Sequence, residues 1–311
     1  MDDEYIGRIA ETELGARLAS ISTVPEGLLH ETYELEYEDE AYVLQVSPAG
    51  ERRNELRRGL QLYQHLQDSR IPVPDVVTEQ IRDHDSDTYS IVEKLPGESA
   101  KDNISPERVL AAGRYLARIH DTWTFETTGW IGFEDEDLTV RQFEEGTQRR
   151  QIVERVRQYS TLLEQNGLEP AGKRVANLVD PLKEDLPGGG SPVLCHNDYS
   201  PDNILYRDNE ITGILDFDRA IAGHGRRDLV KAANAFWMHD PCVDWEVREK
   251  FYDGYREIRS LDDRFADSEP LFRVETLTEI VGGMVELGEL SEYEAEFYTE
   301  QILEAVGRLD L

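Results

Sequence analysis

The segment 196–203 gathers polar side chains of the types that act in phosphoryl transfer. It reads His-Asn-Asp-Tyr-Ser-Pro-Asp-Asn, so that Asn203 follows Asp198 by five positions. A further acidic cluster, Asp-Phe-Asp, occupies residues 216–218. Phosphoryl transfer needs one carboxylate that orients and deprotonates the attacking hydroxyl, and oxygen ligands that hold Mg²⁺ against the phosphates of a nucleotide. Asp198, Asn203 and Asp216 supply these groups, so the spacing predicts phosphoryl transfer.

Short apolar segments flank these polar residues and predict how the chain positions them. Residues 193–195, 204–206 and 211–215 have the pattern of strands, with a turn at 208–209 between the last two. A single His-x-Asp triplet or an Asp-Phe pair is common by chance, whereas the ordered combination with a hairpin between its parts is specific. If these polar residues only capped turns, their common position beside apolar strands would be unexplained.

Length, composition and charge restrict the classes of function. A chain of 311 residues corresponds to about two structural units, and 39% apolar residues are enough for a core. The net charge of −32 repels phosphate backbones and anionic lipids, so neither nucleic acid nor a membrane is expected as a partner. The sequence has no apolar run of transmembrane length and no signal-peptide pattern at its start, which predicts a cytoplasmic protein.

The acid excess is large, and lysine occurs at only six positions. This composition resembles that of halophilic proteins, in which very high salt screens a like-charged surface. We therefore expect the free energy of unfolding to rise steeply with KCl, because the Debye length falls from about 10 Å at 0.1 M salt to about 3 Å at 1 M. Denaturant unfolding at low and at molar KCl measures this effect, and a loss of stability in molar salt would contradict it.

Hydrophobic periodicity predicts a first domain, residues 1–95, that consists of strands and one helix. Apolar and polar residues alternate over 32–37, the acidic residues 38–40 predict a turn into a second strand, and apolar residues recur at helical spacing in the helix. The predicted strands are 32–37, 41–46, 76–77 and 89–92, and the predicted helix is 51–66.

A second domain, residues 96–311, starts at a Pro-Gly pair and is predicted to be mainly helical. Ser105, followed by a proline, predicts the start of a helix that ends near His120. The glycine-rich segment 187–192 precedes a strand and not a helix, so we interpret it as a linker and not as a phosphate-binding loop. The other segments with helical spacing are 141–165, 171–183, 227–238, 244–258 and 270–309. The predicted fold class is α+β, with a small antiparallel sheet before the helical domain.

These motifs together resemble the aminoglycoside phosphotransferase and choline kinase-like family, which are small-molecule kinases of the protein-kinase-like fold. The catalytic loop of that family runs His-Gly-Asp-x-x-x-x-Asn-Ile-Leu, and residues 196–205 are similar to it. Residues 115–120 are similar to the family's helix that ends in Leu-x-x-Leu-His, 228–229 to its Asp-Leu pair, and 71–74 to its proline pair. The resemblance covers about residues 20–240 and implies a bilobal fold.

The resemblance also implies roles for the catalytic residues and a class of substrate. Asp198 is implied to be the catalytic base, and Asn203 and Asp216 the Mg²⁺ ligands, with ATP as the phosphoryl donor. Asn197 stands where protein kinases carry an arginine that binds activation-loop phosphate, and only 11 residues separate Asp216 from Asp228. That interval is too short for a platform that binds a peptide, so a small molecule with a hydroxyl group is expected as substrate, and not a protein.

Three further residues are expected to support the site. Asp228 resembles the buried aspartate that follows the metal loop in the family. His196 could be a second acid–base group or a structural support of the loop, and the resemblance favours structural support. For Asp218 two interpretations stay open, a second metal ligand and a cap on the following turn.

The nucleotide-binding residues match the kinase template less well. The template places a lysine on the third strand, where it binds the α- and β-phosphates and pairs with a helix glutamate. Here Gln45 takes that place, and no lysine precedes Lys94. The nucleotide loop is expected over 24–32 and holds one glycine, and the hinge that faces the adenine is expected at 93–95. The residues expected to contact or support the nucleotide are Val43, Gln45, Glu55, Glu93 and Leu95.

Two alternatives from other classes remain. Because Gln45 brings no charge, the chain could be a nucleotide-binding regulatory protein with little or no catalysis. A carboxylate-rich, metal-dependent hydrolase is the other alternative, although nothing in such an enzyme requires the strand-rich first domain. Acidic runs such as 134–137 could line a pocket for a cationic substrate, but in so acidic a chain they are typical of a solvated surface.

Overall fold

The computed structural model describes residues 3–15, 18–24, 30–38, 40–134, 137–179 and 190–309. The chain divides into two compact units. The first unit comprises residues 1–100 and 202–220, and the second unit comprises residues 101–201 and 221–311. Residues 202–220, which the sequence analysis placed with the second domain, thus group with the first unit. The predicted boundary near residue 95 otherwise stays a prediction.

The helices and strands of the described residues have the following bounds. The helices are α1 (Asp3–Leu14), α2 (Arg53–Leu66), α3 (Pro106–Thr122), α4 (Gln148–Gln165), α5 (Glu169–Ala176), α6 (Gly225–His239), α7 (Val247–Arg256), α8 (Asp263–Leu287) and α9 (Glu292–Gly307). The strands are β1 (Ser20–Val24), β2 (Glu31–Glu36), β3 (Ala41–Ser47), β4 (Arg82–His84), β5 (Asp87–Glu93), β6 (Glu98–Ser99), β7 (Gly129–Glu134), β8 (Asp137–Arg141), β9 (Val193–Cys195), β10 (Ile204–Arg207), β11 (Glu210–Ile214) and β12 (Ile221–Gly223).

The first unit contains an antiparallel sheet with the strand order β1-β2-β3-β5-β4. The strands predicted at 32–37, 41–46 and 89–92 are confirmed, and so is the helix predicted at 51–66. The strand predicted at 76–77 is limited to an isolated bridge between Val76 and Val92. Helix α1 was not predicted, and its Ile6 and Ile9 are fully buried together with Leu35, Leu44 and Ile91 of the sheet.

The predicted hairpin that follows the catalytic loop is confirmed as β10 and β11. Its turn residues Asp208 and Asn209 have φ of 51° and 66°, a left-handed conformation that asparagine and aspartate tolerate and that two-residue hairpin turns require. β10 also pairs with β6, and the Thr212 hydroxyl donates to the carbonyl of Pro96. These contacts explain why the hairpin belongs to the first unit.

The second unit combines helices with a sheet of order β8-β7-β12-β9. Ser105 caps α3 as predicted, because its hydroxyl accepts from the N–H of Arg108. The helix expected over 141–165 begins only at 148, and β7 and β8, which were not predicted, precede it. The segment 270–309 forms two helices, because Gly288 ends α8 in a left-handed conformation with φ of 70°.

Parts of five segments named in the sequence analysis lie outside the described residues. These are residues 25–29 of the nucleotide loop, residue 39 of the acidic turn 38–40, 135–136 of the acidic run, 180–183 of the helical segment 171–183 and 187–189 of the glycine-rich linker. In the part of the chain that is described, no helix combines the length and the apolarity that crossing a bilayer requires. The cytoplasmic location stays a prediction.

Candidate active site

The catalytic loop begins in the second unit, where β9 ends at Cys195. The carboxylate of Asp228, on α6, accepts the backbone N–H of His196 at 3.1 Å and that of Asn197 at 2.9 Å. Asn197 is buried and has φ of 64°, in the left-handed region that asparagine enters more readily than most residues. Asp228 therefore holds the backbone that leads directly into Asp198.

Asp228 is itself fixed by a buried histidine. Its Oδ2 lies 3.1 Å from Nε2 of His120, and Nδ1 of His120 lies 2.8 Å from the hydroxyl of Tyr255. Burial by itself raises the pKa of Asp228, but the hydrogen bond and the charge of His120, with the charges of His196 and Lys231, outweigh it and hold the pKa below its ordinary value. The carboxylate is thus an ionised support of the loop.

We expect Asp228→Ala to lower the free energy of unfolding by about 3–5 kcal/mol, because it removes one partner from a buried, hydrogen-bonded set. Urea unfolding measures this loss. A carboxyl whose pKa is depressed on folding stabilises the native state above its unfolded pKa of about 3.9. The deficit of the variant should therefore shrink as the pH falls below about 4. A deficit that does not depend on pH would contradict the ionised state.

His120, Cys195 and Asp228 each offer one ligand atom, and these atoms lie within 4.8 Å of one another. Burial raises the pKa of the Cys195 thiol well above its ordinary value, so the thiol stays protonated. Both oxygens of Asp228 already accept hydrogen bonds. These three side chains therefore form a hydrogen-bonded support of the loop, and they do not fit a metal ion.

Asp198 is half-buried and follows a fully buried histidine. The backbone N–H of Asp198 donates to Nδ1 of His196 at 3.3 Å. The ring also packs edge-on against Tyr199, so the loop backbone and an aromatic side chain both hold it. This geometry favours structural support over acid–base catalysis by His196.

The predicted metal ligands Asn203 and Asp216 lie in the first unit, at adjoining ends of the hairpin. Ile204 and Ile214 are register partners, and the N–H of Leu215 donates to the carbonyl of Asn203 at 2.9 Å. The hairpin thus brings the two residues together although 12 others separate them in the chain.

Asp216 is held in a specific backbone conformation. It has φ of 59°, its N–H donates to the Tyr63 hydroxyl at 2.8 Å, and its carboxylate accepts from the N–H of Asp218 at 3.4 Å. Burial raises the pKa of Tyr63, and the charges of Asp216 and Asp218 raise it further, so this hydroxyl stays protonated. Tyr63 is a site residue that sequence reasoning missed.

Two contacts hold Asp218 in place, and its interpretation as a second metal ligand stays a prediction. Its buried carboxylate lies 2.7 Å from Nε2 of His30, which is also buried, and its carbonyl accepts from Arg58 on α2. A Cβ atom at position 59 would overlap the Asp218 carboxylate, so α2 requires Gly59 there. The cap that was considered for Asp218 is made by Asp216 instead. His30 could not be predicted, because 188 positions separate it from Asp218.

The predicted nucleotide-binding residues also lie in the first unit. Val43 and Gln45 are alternate residues of β3 and share one face of the sheet, and both are half-buried, as is Glu55 in the first turn of α2. Glu93 ends β5, and its N–H donates to the carbonyl of Asp75 at 2.8 Å. The assignments of these four residues and of Leu95 stay predictions.

Comparisons with known proteins give the family and the fold. The sequence model of the family described as "Phosphotransferase enzyme family" matches residues 20–263. Homoserine kinase of Phenylobacterium zucineum is 26% identical over 267 residues, which are 84% of this chain and 78% of that protein. Homoserine kinase of Beijerinckia indica is 24% identical over 284 residues, or 85% of this chain and 81% of that protein.

Among solved structures, a thermostable mutant of aminoglycoside phosphotransferase APH(4)-Ia, in complex with ADP and hygromycin B, is similar with a TM-score of 0.71. It is 16% identical, and the match covers 97% of this chain and 98% of that one. These comparisons confirm the predicted α+β fold of the protein-kinase-like type.

Proposed function

The chain belongs to the phosphotransferase enzyme family as a small-molecule kinase with a hydroxyl acceptor, and from this premise we propose that it transfers the γ-phosphate of ATP in a Mg²⁺-dependent reaction. The observation that carries the proposal is the hairpin that joins Asn203 to Asp216 directly after the loop of Asp198. Carboxylate and amide oxygens are the hard ligands that Mg²⁺ takes in nucleotide sites, so this donor set fits the ion.

In the proposed mechanism each of three side chains has one task. Asp198 orients the substrate hydroxyl and accepts its proton, and Asn203 and Asp216 offer oxygens to the metal. When bound, Mg²⁺ neutralises the charge on the phosphates of ATP. Asp218 keeps its hydrogen bond to His30 and so holds the segment after Asp216 in place.

For the substrate we propose a small hydroxylated molecule, with homoserine as the first candidate because two homoserine kinases are relatives. The test measures ADP release with Mg-ATP across homoserine, hygromycin B and other hydroxylated compounds, after a thermal shift assay for Mg-ATP binding. We expect binding and turnover on at least one compound. Binding without turnover on any compound would favour the regulatory alternative, and hydrolysis of phosphate esters without nucleotide would favour the hydrolase.

Gln45 is the residue that motivates the regulatory alternative. Its replacement tests whether the side chain at position 45 contacts the phosphates of ATP. We expect Gln45→Lys to tighten ATP binding about fivefold, because a hydrogen bond to a charged group contributes about 1 kcal/mol more than a neutral one. Isothermal titration with Mg-ATP measures the dissociation constant. Gln67→Lys, which adds the same charge at the exposed end of α2, is the control. Equal tightening in both variants would show a general charge effect and contradict the placement of Gln45.

A further inference from the structure

Five charged side chains of the second unit, four of them buried, form what we call the buried ionic cluster. Arg227 and Lys231 lie one turn apart on α6, and Glu275 and Glu279 lie one turn apart on α8. Arg227 donates to both glutamates, Lys231 donates to Glu279 at 3.0 Å, and Arg155 of α4 donates to Glu279 at 2.7 Å.

Within the buried ionic cluster three cations face two carboxylates, and the buried Asp228, whose pKa the charge of Lys231 helps to lower, is a third carboxylate nearby. Buried charges are costly unless they are paired. Burial raises the pKa of Glu279, but Lys231, Arg227 and Arg155 outweigh it and hold the pKa well below its ordinary value. Glu279 would keep Arg227 and Arg155 as partners without Lys231, so it does not depend on Lys231 alone.

Lys231 also contacts the backbone that leads to Asp198. Its Nζ donates to the carbonyl oxygen of Asn197 at 2.7 Å. That carbonyl and the N–H of Asp198 belong to the same planar peptide unit. The N–H of Asp198 donates to Nδ1 of His196, so the carbonyl and the N–H of this peptide unit are both hydrogen-bonded.

The backbone at Asn197 needs such support. A residue other than glycine in the left-handed region costs free energy and persists where its surroundings determine it. The N–H of Asn197 is held by Asp228, and Arg227 lies 3.5 Å from its side-chain oxygen. Lys231 adds a charge-assisted hydrogen bond to the carbonyl oxygen of this residue.

We propose that Lys231 is a positioning residue that fixes the peptide plane between Asn197 and Asp198 and thereby orients the carboxylate of Asp198. The inference rests on the proposed function only in that Asp198 is taken as the base. Glu279 of α8, which also accepts from Arg155 of α4, holds Lys231 in place. Glu279 is linked to the loop through Lys231 and also through Arg227, which lies 3.5 Å from the side-chain oxygen of Asn197.

The test compares Lys231→Met with Glu279→Gln, which alters the same cluster but leaves the hydrogen bond to Asn197. We expect Lys231→Met to speed amide hydrogen exchange at Asp198 at least tenfold beyond the change in α3, whose amides report global unfolding. In Glu279→Gln the exchange at Asp198 should follow α3. On any compound that the wild-type protein turns over, Lys231→Met should lower kcat and leave the KM for ATP unchanged, and Lys231→Arg should restore part of kcat.

Lys173→Met removes an exposed lysine of α5 and serves as the matched control with wild-type exchange and activity. Exchange at Asp198 that stays at the wild-type rate in Lys231→Met, or rises only as much as in α3, would overturn the inference. Because exchange is measured without substrate, it decides this inference even if no compound is turned over. Failure of the proposed function is thus distinguishable from failure of the inference.

Discussion

Replacement of Asp198 by asparagine is expected to lower kcat by about 10²–10⁴-fold, the range that a positioned general base contributes. Asparagine has nearly the same shape but accepts no proton at neutral pH, so the loop held by Asp228 should keep its conformation. We expect the affinity for Mg-ATP and the melting temperature to stay at wild-type values. Steady-state kinetics on the compound that the wild-type protein turns over fastest, with a thermal melt of each variant, measure these quantities.

The control for this experiment is Asp208→Asn, in the exposed turn between β10 and β11. Its left-handed conformation suits asparagine as well as aspartate, so both activity and stability should be retained. Wild-type turnover in Asp198→Asn would show that Asp198 is not the general base. A fall in kcat together with a large fall in melting temperature would instead identify Asp198 as a structural residue.

Replacement of Asp216 by alanine should cost at least as much activity, about 10²–10⁴-fold or more, for a different reason. The replacement removes a proposed oxygen ligand of Mg²⁺, so Mg²⁺ should no longer tighten the binding of ATP. Titration of ATP with and without Mg²⁺ measures this difference directly. The variant also loses the carboxylate that accepts the N–H of Asp218, and a moderate loss of stability is expected.

Asp218→Asn separates the two effects of the Asp216 replacement. It weakens the pair with His30 but leaves the proposed metal ligands in place, so the dependence of ATP binding on Mg²⁺ should persist. If Asp216→Ala keeps that dependence, its assignment as a metal ligand is wrong. If Asp218→Asn loses it as well, Asp218 is itself a ligand.

The features that could be predicted from sequence are those whose residues are near one another in the chain. The hairpin of β10 and β11 followed from two short apolar runs and a turn of aspartate and asparagine, and β2 and α2 followed from simple periodicity. Helix α1 was missed because its buried face holds few residues, with acidic residues around them. Strands β7 and β8 were missed because short strands with mixed polarity give a weak pattern.

The contacts that could not be predicted join residues far apart in sequence. His30 and Asp218 meet across 188 positions, and nothing in the type of either residue indicates the other. Likewise the spacing of Arg227 and Lys231 places them on one face of α6, but not against two glutamates of α8. Partners of this kind depend on how helices and strands pack, and a single sequence does not record that packing.

The order of the proposed base, amide and carboxylate can be read from the chain, because the loop and the hairpin that link them are local. The residues that hold those groups in place become visible only in the folded protein. The left-handed backbones at Asn197 and Asp216 are stabilised by Asp228, Lys231 and Tyr63, which come from distant segments. The physical reason is that a strained turn persists only where packed neighbours satisfy its polar groups.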